Sequence, residues 1–266
     1  MVGLAHRVEI RRVLAEHGIA QPPFAAVRTL HEGQRALETV GLPAVLRADN
    51  VTDRPRVFLL ESEADLERHL HAALAQSPTQ EAIVEGRSGD GTALVAVVGW
   101  DGVPAIAEAM PPPGIGWFRP TTLFGDRLEA VEETAVRTVR ALELSGVVCI
   151  DLLSTEREVV VLEVAPEGPR HVLAVLVSQP EPTAVRLLTA EPGPLPVGRV
   201  RRVGGFEKLR AFPGVYDAAL GVLVGDTIQP MRQDKPRGYV LAKGETNLEA
   251  IERADAAARL IDVEVW

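Results

Sequence analysis

Two runs of β-branched and apolar residues, Val147–Leu153 and Val159–Val164, flank a polar turn from Ser154 to Glu158. This pattern predicts a β-hairpin. Side chains alternate along a strand, so a turn centred near Arg157 sets Asp151 opposite Glu163. Val147, Cys149, Val159 and Val161 then share the face of the two acids, and Val148, Ile150, Leu152, Val160, Leu162 and Val164 take the other. Both faces are apolar, as expected of a central strand pair. The two carboxylates are the exceptions.

Upstream, residues 5–17 read as an opening helix, with Val8, Val13 and Leu14 near one face, arginines and glutamates on the others, and Gly18 as its stop. Residues 21–86 alternate as β-α-β-β-α-β: strands at 24–27, 44–47, 56–60 and 82–85, helices at 30–40 and from Ser62 to about Ala75. Ser62-Glu63-Ala64-Asp65 is a capping-box signal. Thr92–Trp100 and Val103–Ala109 read as a hairpin about Asp101-Gly102. Residues 110–119, with Pro111-Pro112-Pro113, read as a loop, and Asp126–Ser145 as a long amphipathic helix. His171–Gln179 and Thr183–Thr189 both look helical, and Glu191–Gly198 looks like a linker. The remaining residues suggest a small α+β module: strands at 199–206 and 238–242, an extended run at 215–224, a helix over 247–260 and a last strand at 262–265. The expected segments are an opening helix (1–20), a small lid unit (21–86), a larger unit bearing the acidic hairpin (87–192) and the C-terminal module (193–266).

A chain of 266 residues is long enough to bury a sizeable core in one or two domains. The formal charge of −9 argues against a nucleic-acid partner, since that binding rests on neutralising phosphates. No run of 18 apolar residues predicts a membrane span, and no signal peptide is read. The single Cys149 lies in an apolar strand, which fits a reducing, cytoplasmic setting. Lysine occurs only at 208, 235 and 243, against 25 arginines, so any cationic chemistry in residues 1–207 falls to arginine.

Two acids directly opposed across a strand pair repel, and a divalent cation resolves the conflict. The alternative is that both sit at the wet end of the hairpin and bind nothing. His69 and His71, at i and i+2, do not face each other and read as solvated surface. His171, beside the hairpin's end, reads as a packing residue or a site residue, and Trp100 and Trp117, which flank loops, as core or rim packing or as pocket lining.

The order of these motifs resembles the ATP-grasp superfamily. Gly41-Leu42-Pro43-Ala44-Val45-Leu46-Arg47 is similar to its lid strand, and Ala82-Ile83-Val84-Glu85-Gly86 to its hinge strand. Cys149-Ile150-Asp151 and Leu162-Glu163-Val164-Ala165-Pro166-Glu167 are similar to its metal-binding pair. The tail, with Pro213-Gly214-Val215 and Arg237-Gly238-Tyr239 through Glu249-Ala250, is similar to the C-terminal module of L-amino-acid ligases. The resemblance implies an α+β, ATP-grasp fold, in which two α+β subdomains border a cleft and a small α+β module follows. It implies ATP and Mg²⁺ as cofactors, and activation of a carboxylate as an acyl phosphate for attack by an amine. Glu85 would take a ribose hydroxyl, with Gly86 to Ser88 at the adenine. Arg7 and Arg47 would stand at the positions of the phosphate-contacting lysines. Asp151 and Glu163 would hold Mg²⁺, and Arg47 and Arg170 would meet the reacting groups.

Departures fall on this chemistry. Arginine replaces both lysines, and it offers a planar fork rather than a point charge. Asn50 to Pro55 replaces a glycine-rich phosphate loop; Asp53 adds negative charge there, and Arg54 and Arg56 partly compensate. Ala165 stands where the family has a metal-binding Asn, and Glu167 where it has an Arg. The chain also starts where the family's second domain starts, without the Rossmann-like N-terminal domain, which leaves an apolar surface for a partner protein or a second copy. The expected function is a degenerate homologue of ATP-dependent carboxylate–amine ligases. Its ligase step is impaired or lost, and it acts as a partner subunit or as a binder of a small carboxylate, amino acid or nucleotide. Alternatives are an active ATP- and Mg-dependent amide-forming ligase, and a cleft turned to ATP-independent chemistry.

Overall fold

The computed structural model of the chain describes residues 6–50, 57–99, 101–111, 115–165, 170–231 and 236–266. The segment from Val51 to Arg56, Trp100 and Glu167 lie outside the described residues, as do the side chains of Ala165, Arg170 and His171. The chain divides into two compact units, 1–105 with 125–168, and 106–124 with 169–266.

The first unit opens with α1 (Arg7–Glu16). A lid follows: β1 (Phe24–Val27), α2 (Leu30–Val40), β2 (Ala44–Ala48), β3 (Phe58–Leu60), α3 (Glu63–Ala75) and β4 (Ala82–Gly86). Its antiparallel sheet runs β1-β4-β2-β3. The β-α-β-β-α-β reading of 21–86 is what forms. Both lid helices start on side-chain caps: Thr29 with Glu32 closes a capping box on α2, and Asp65 accepts from the backbone and hydroxyl of Ser62 on α3. The helices cover one sheet face, where Val27, Ala44, Leu46, Leu60 and Val84 pack with Leu37, Leu66 and Leu70. The opposite face carries Val45, Arg47, Ile83 and Glu85 in neighbouring register.

Next come β5 (Thr92–Val98) and then β6 (Pro104–Ala109), which leads into the second unit and on to β7 (Gly116–Arg119). The chain returns to the first unit with α4 (Asp126–Ala141), β8 (Val148–Ser154) and β9 (Val159–Ala165). These strands pair antiparallel as β5-β8-β9. Asp151 does pair with Glu163, as the sequence predicts. The route to that register differs. The turn pairs Ser154 with Val159, and a bulge then skips Leu162 before Asp151 meets Glu163. Val159 and Val161 therefore lie on the face away from the acids, opposite to expectation, and Val160 joins the acidic face. Two apolar faces give no alternation to forbid such a slip. Nor is the hairpin a central pair: among the described strands β9 neighbours β8 alone and is an outer strand.

The second unit adds α5 (Arg170–Ser178), β10 (Thr183–Leu187), β11 (Gly198–Gly204), α6 (Phe206–Arg210), β12 (Val215–Leu220), β13 (Thr227–Ile228), β14 (Gly238–Lys243), α7 (Asn247–Ala258) and β15 (Asp262–Val265). Its strands run β12-β14-β10-β7-β6, with a smaller β13-β11-β15 sheet. Two expectations are corrected here. Thr183–Thr189, read as helical, forms β10 between β14 and β7, with every strand residue buried. The 110–119 loop contains β7. Burial on both faces erases the alternation that marks a strand, and prolines masked the short β7. α6 and β13 had no readable signal. Residues 191–198, read as a linker, hold a buried Leu195 whose N–H donates to the Thr189 carbonyl.

Gly116 reports how tightly this unit is built. A Cβ there would sit 1.9 Å from the Val185 carbonyl oxygen and 2.7 Å from Met110 Sδ. Gly89 has nothing within 4 Å. Gly116→Ala is therefore expected to lower unfolding free energy by about 1–3 kcal/mol, as overpacking does, while Gly89→Ala stays near wild type. Urea denaturation of the two variants checks this.

Candidate functional site

The residues singled out in the sequence gather within the first unit, but around one another. Arg7 and Arg11 lie one turn apart on α1 and are both buried, though arginines on an amphipathic helix normally read as its wet face. Their helix begins on Asp49, a buried acid at the end of β2 that no sequence signal marked. Asp49 accepts from the Val8 N–H at 2.9 Å and from Thr79 Oγ1 at 3.1 Å, and lies 3.3 Å from His6 Nδ1. A carboxylate at a helix N-terminus meets both the free N–H groups and the positive end of the dipole.

Arg11 is the residue that sequence reasoning missed. Its Nε donates to Glu85 Oε1 at 2.8 Å, and its Nη1 and Nη2 donate to the carbonyls of Val161 and Leu162. Those carbonyls belong to the bulge on outer strand β9, where the ladder has no partner for them. The same edge receives a further bond, from Val161 N–H to the Ala20 carbonyl at 2.8 Å. One guanidinium thus ties α1 to the hinge strand of the lid and to the acidic hairpin.

Glu163 is held by two more arginines. Arg7 Nη2 lies 2.6 Å from Glu163 Oε1, and Arg47 Nη1 lies 3.0 Å from Oε2. Arg47 also stands 3.4 Å from Glu85 Oε2 through its Nε. Three guanidiniums therefore enclose two carboxylates. Burial pushes the Glu163 carboxyl up, and the charges of Arg7, Arg47 and Arg11 more than offset this, holding it below the usual carboxylate range. The space left beside Arg7, Ile10, Arg11, Glu163 and Val164 is a cavity of about 10 Å³, room for about one water.

Of the expected site residues, Arg7, Arg47, Glu85 and Glu163 come together. Asp151 lies directly across from Glu163 and is exposed, the one exposed residue of β8. Gly86 is buried against Pro23 and Val40, and its N–H donates to the Pro23 carbonyl at 2.8 Å. Ser88 is half-buried on the connection from β4 to β5. Arg170 begins α5, in the second unit. Each Glu163 oxygen accepts from one arginine, so a Mg²⁺ ion shared by Asp151 and Glu163 would have to share or displace those contacts. Among the described residues, no group of three His, Cys, Asp or Glu side chains stands close enough to hold a metal. No described helix is long and apolar enough to cross a membrane.

Residues 194–265 match the family model for the L-amino acid ligase C-terminal domain 2. The structure is similar to that of the L-amino acid ligase from Bacillus licheniformis, with a TM-score of 0.75 at 16% identity over 99% of this chain and 72% of that one. It is also similar to N5-carboxyaminoimidazole ribonucleotide synthetase from Thermotoga maritima (TM-score 0.66, 19% identity, 99% and 73% covered). In sequence, 176 residues are 24% identical to the carbamoyl phosphate synthase large chain of Thermotoga petrophila, covering 62% of this chain and 16% of that protein. The chain thus spans about a sixth of that relative's length. The fold is ATP-grasp, as in these solved structures.

The ion-pair set makes two predictions. Arg11→Leu leaves Glu85 buried without its main partner and is expected to cost about 3–5 kcal/mol, part of which the double variant Arg11→Leu/Glu85→Leu recovers; urea unfolding measures both. Glu163 ionises more readily folded than unfolded. Its contribution is complete above the ordinary carboxylate range and is lost as pH falls through the depressed folded value. Glu163→Gln should flatten that acid limb of stability against pH, followed by thermal melts from neutral pH downward.

Proposed function

We propose that this chain is an ATP-grasp homologue that has lost the ligase step and serves as a partner subunit or as a binder of a small acid. One observation carries the reading: the acids on which nucleotide and Mg²⁺ would depend are neutralised within the chain, Glu85 by Arg11 and Glu163 by Arg7 and Arg47. A cation entering there must first break pairs that are largely desolvated, and the guanidiniums released would oppose it. Ala165 and Glu167 support the same reading from the sequence, by removing a ligand atom and reversing a charge.

A second reading, a working ligase, has its own support. Solved relatives of this fold include a carboxyaminoimidazole ribonucleotide synthase complexed with ATP and an ATP-analogue complex of biotin carboxylase from Campylobacter jejuni. Asp151 is exposed beside Glu163. In that reading Arg7 and Arg47 leave Glu163 for the phosphates, and the cost of parting them is met by the triphosphate and Mg²⁺ together.

The two readings differ in what Mg·ATP does to stability. A ligand present at a hundred times its Kd stabilises the folded state by about 2.7 kcal/mol. We expect no rise in Tm at millimolar Mg·ATP for the wild-type chain. A rise of several degrees that Glu163→Gln removes would establish the ligase-type site and reject the proposal.

A further inference from the structure

A second basic constellation lies elsewhere in the first unit, and its arginines are not used up in ion pairs. Gly18 takes a left-handed conformation at φ +61° and ends α1, so the chain turns sharply into buried Ile19. That turn presents the His17 and Gly18 carbonyls to α4, where Arg137 Nη2 donates to them at 3.3 and 3.5 Å. The His17 ring is fixed as well, with Nδ1 2.9 Å from the Val13 carbonyl oxygen, so Nε2 is the nitrogen left for a ligand. Between the two helix ends lies an open groove of about 290 Å³, lined by His17, Ile19, Arg137, Arg140 and Ala141. This is close to the lower end of small-molecule sites, about 300 Å³.

The charge is uneven. Among the described residues no carboxylate lines the groove, in a chain whose formal charge is −9. Arg137 and Arg140 are both exposed, and among the described residues neither forms an ion pair. Among the described residues no partner takes the Arg140 side-chain N–H donors or those on Arg137 Nε and Nη1. Two planar forks one helical turn apart, with an imidazole opposite and an apolar floor of Ile19 and Ala141, match a compact oxyanion bearing more than one charge. The plain alternative is that Arg140 only complements the negative end of the α4 dipole, which is worth a few tenths of a kcal/mol to about one. That role uses neither His17 nor the groove.

We propose that this groove is a binding site for a small, multiply charged oxyanion, a phosphoryl group or a di- or tricarboxylate, held by Arg137, Arg140 and His17. The site is independent of the Glu163 cluster and of the fate of the ligase step.

Titration calorimetry with pyrophosphate, and separately with citrate, against sodium chloride at matched ionic strength, tests it on the full chain. The expected result is saturable one-site binding of at least one probe that weakens about tenfold or more in Arg140→Gln. Arg35→Gln, which removes an exposed charge from α2 in the lid, should leave the affinity unchanged. Binding of pyrophosphate alone assigns the phosphoryl source, and of citrate alone the carboxylate source. Titration of the wild-type chain should also shift the His17 ring proton signals in NMR, a readout that needs no variant. Absence of saturable binding by either probe overturns the proposal. So does equal affinity in Arg140→Gln, or an equal loss in Arg35→Gln.

Discussion

Charge pairing away from water is the constraint on which the first unit depends. Arg7 and Arg11 enter the protein interior on the same face of α1 as Val8, Ile10 and Leu14. A buried guanidinium without partners would cost several kcal/mol, so the helix can dock only where acceptors are already arranged. Glu85 and Glu163 supply the charge, and the bulge on β9 supplies two carbonyls. The bulge therefore has two consequences. It returns Asp151 and Glu163 to register after an offset turn, and it leaves Val161 and Leu162 oxygens on an unpaired strand edge for Arg11. Packing, strand register and charge neutralisation settle on one arrangement.

The same arrangement bears on function through competition. A carboxylate that accepts from two guanidiniums is already charge-neutralised, and its depressed proton affinity reflects how well the arginines satisfy it. In the ligase resemblance, the residues at positions 7 and 47 serve the phosphates and the acid at 163 serves the metal. Here these partners serve each other. Arginine is well suited to this, because its planar fork meets both oxygens of a carboxylate and stays charged when desolvated. Residues 1–207 contain no lysine, so both cations that reach the Glu163 oxygens are guanidiniums.

Much of this was legible in the chain. The lid elements and their capping signals follow from periodicity and turn chemistry, whereas Asp151 meets Glu163 through a bulge that periodicity did not announce. Arg7, Arg47, Glu85 and Glu163 were all marked as site residues. Their mutual contact was not legible, since sequence spacing locates strands but does not say whether a cation points at an acid or at open space. Arg11 and Asp49 escaped notice for a related reason: a charged residue on a helix or at a strand end reads as solvated until tertiary contacts bury it. β10 was misread as a helix because burial on both faces leaves no alternation, and Thr183–Leu187 contains Ala, Arg and Leu, which suit helices equally well.

The account turns on whether Glu163 belongs to arginine or to a metal. A crystal soaked with manganese and a non-hydrolysable ATP analogue, read by manganese anomalous scattering, decides between them. The account predicts no anomalous peak between Asp151 and Glu163, with Arg7 and Arg47 still on the Glu163 oxygens. A manganese peak bridging the two carboxylates, with the arginines turned onto phosphate, would contradict it.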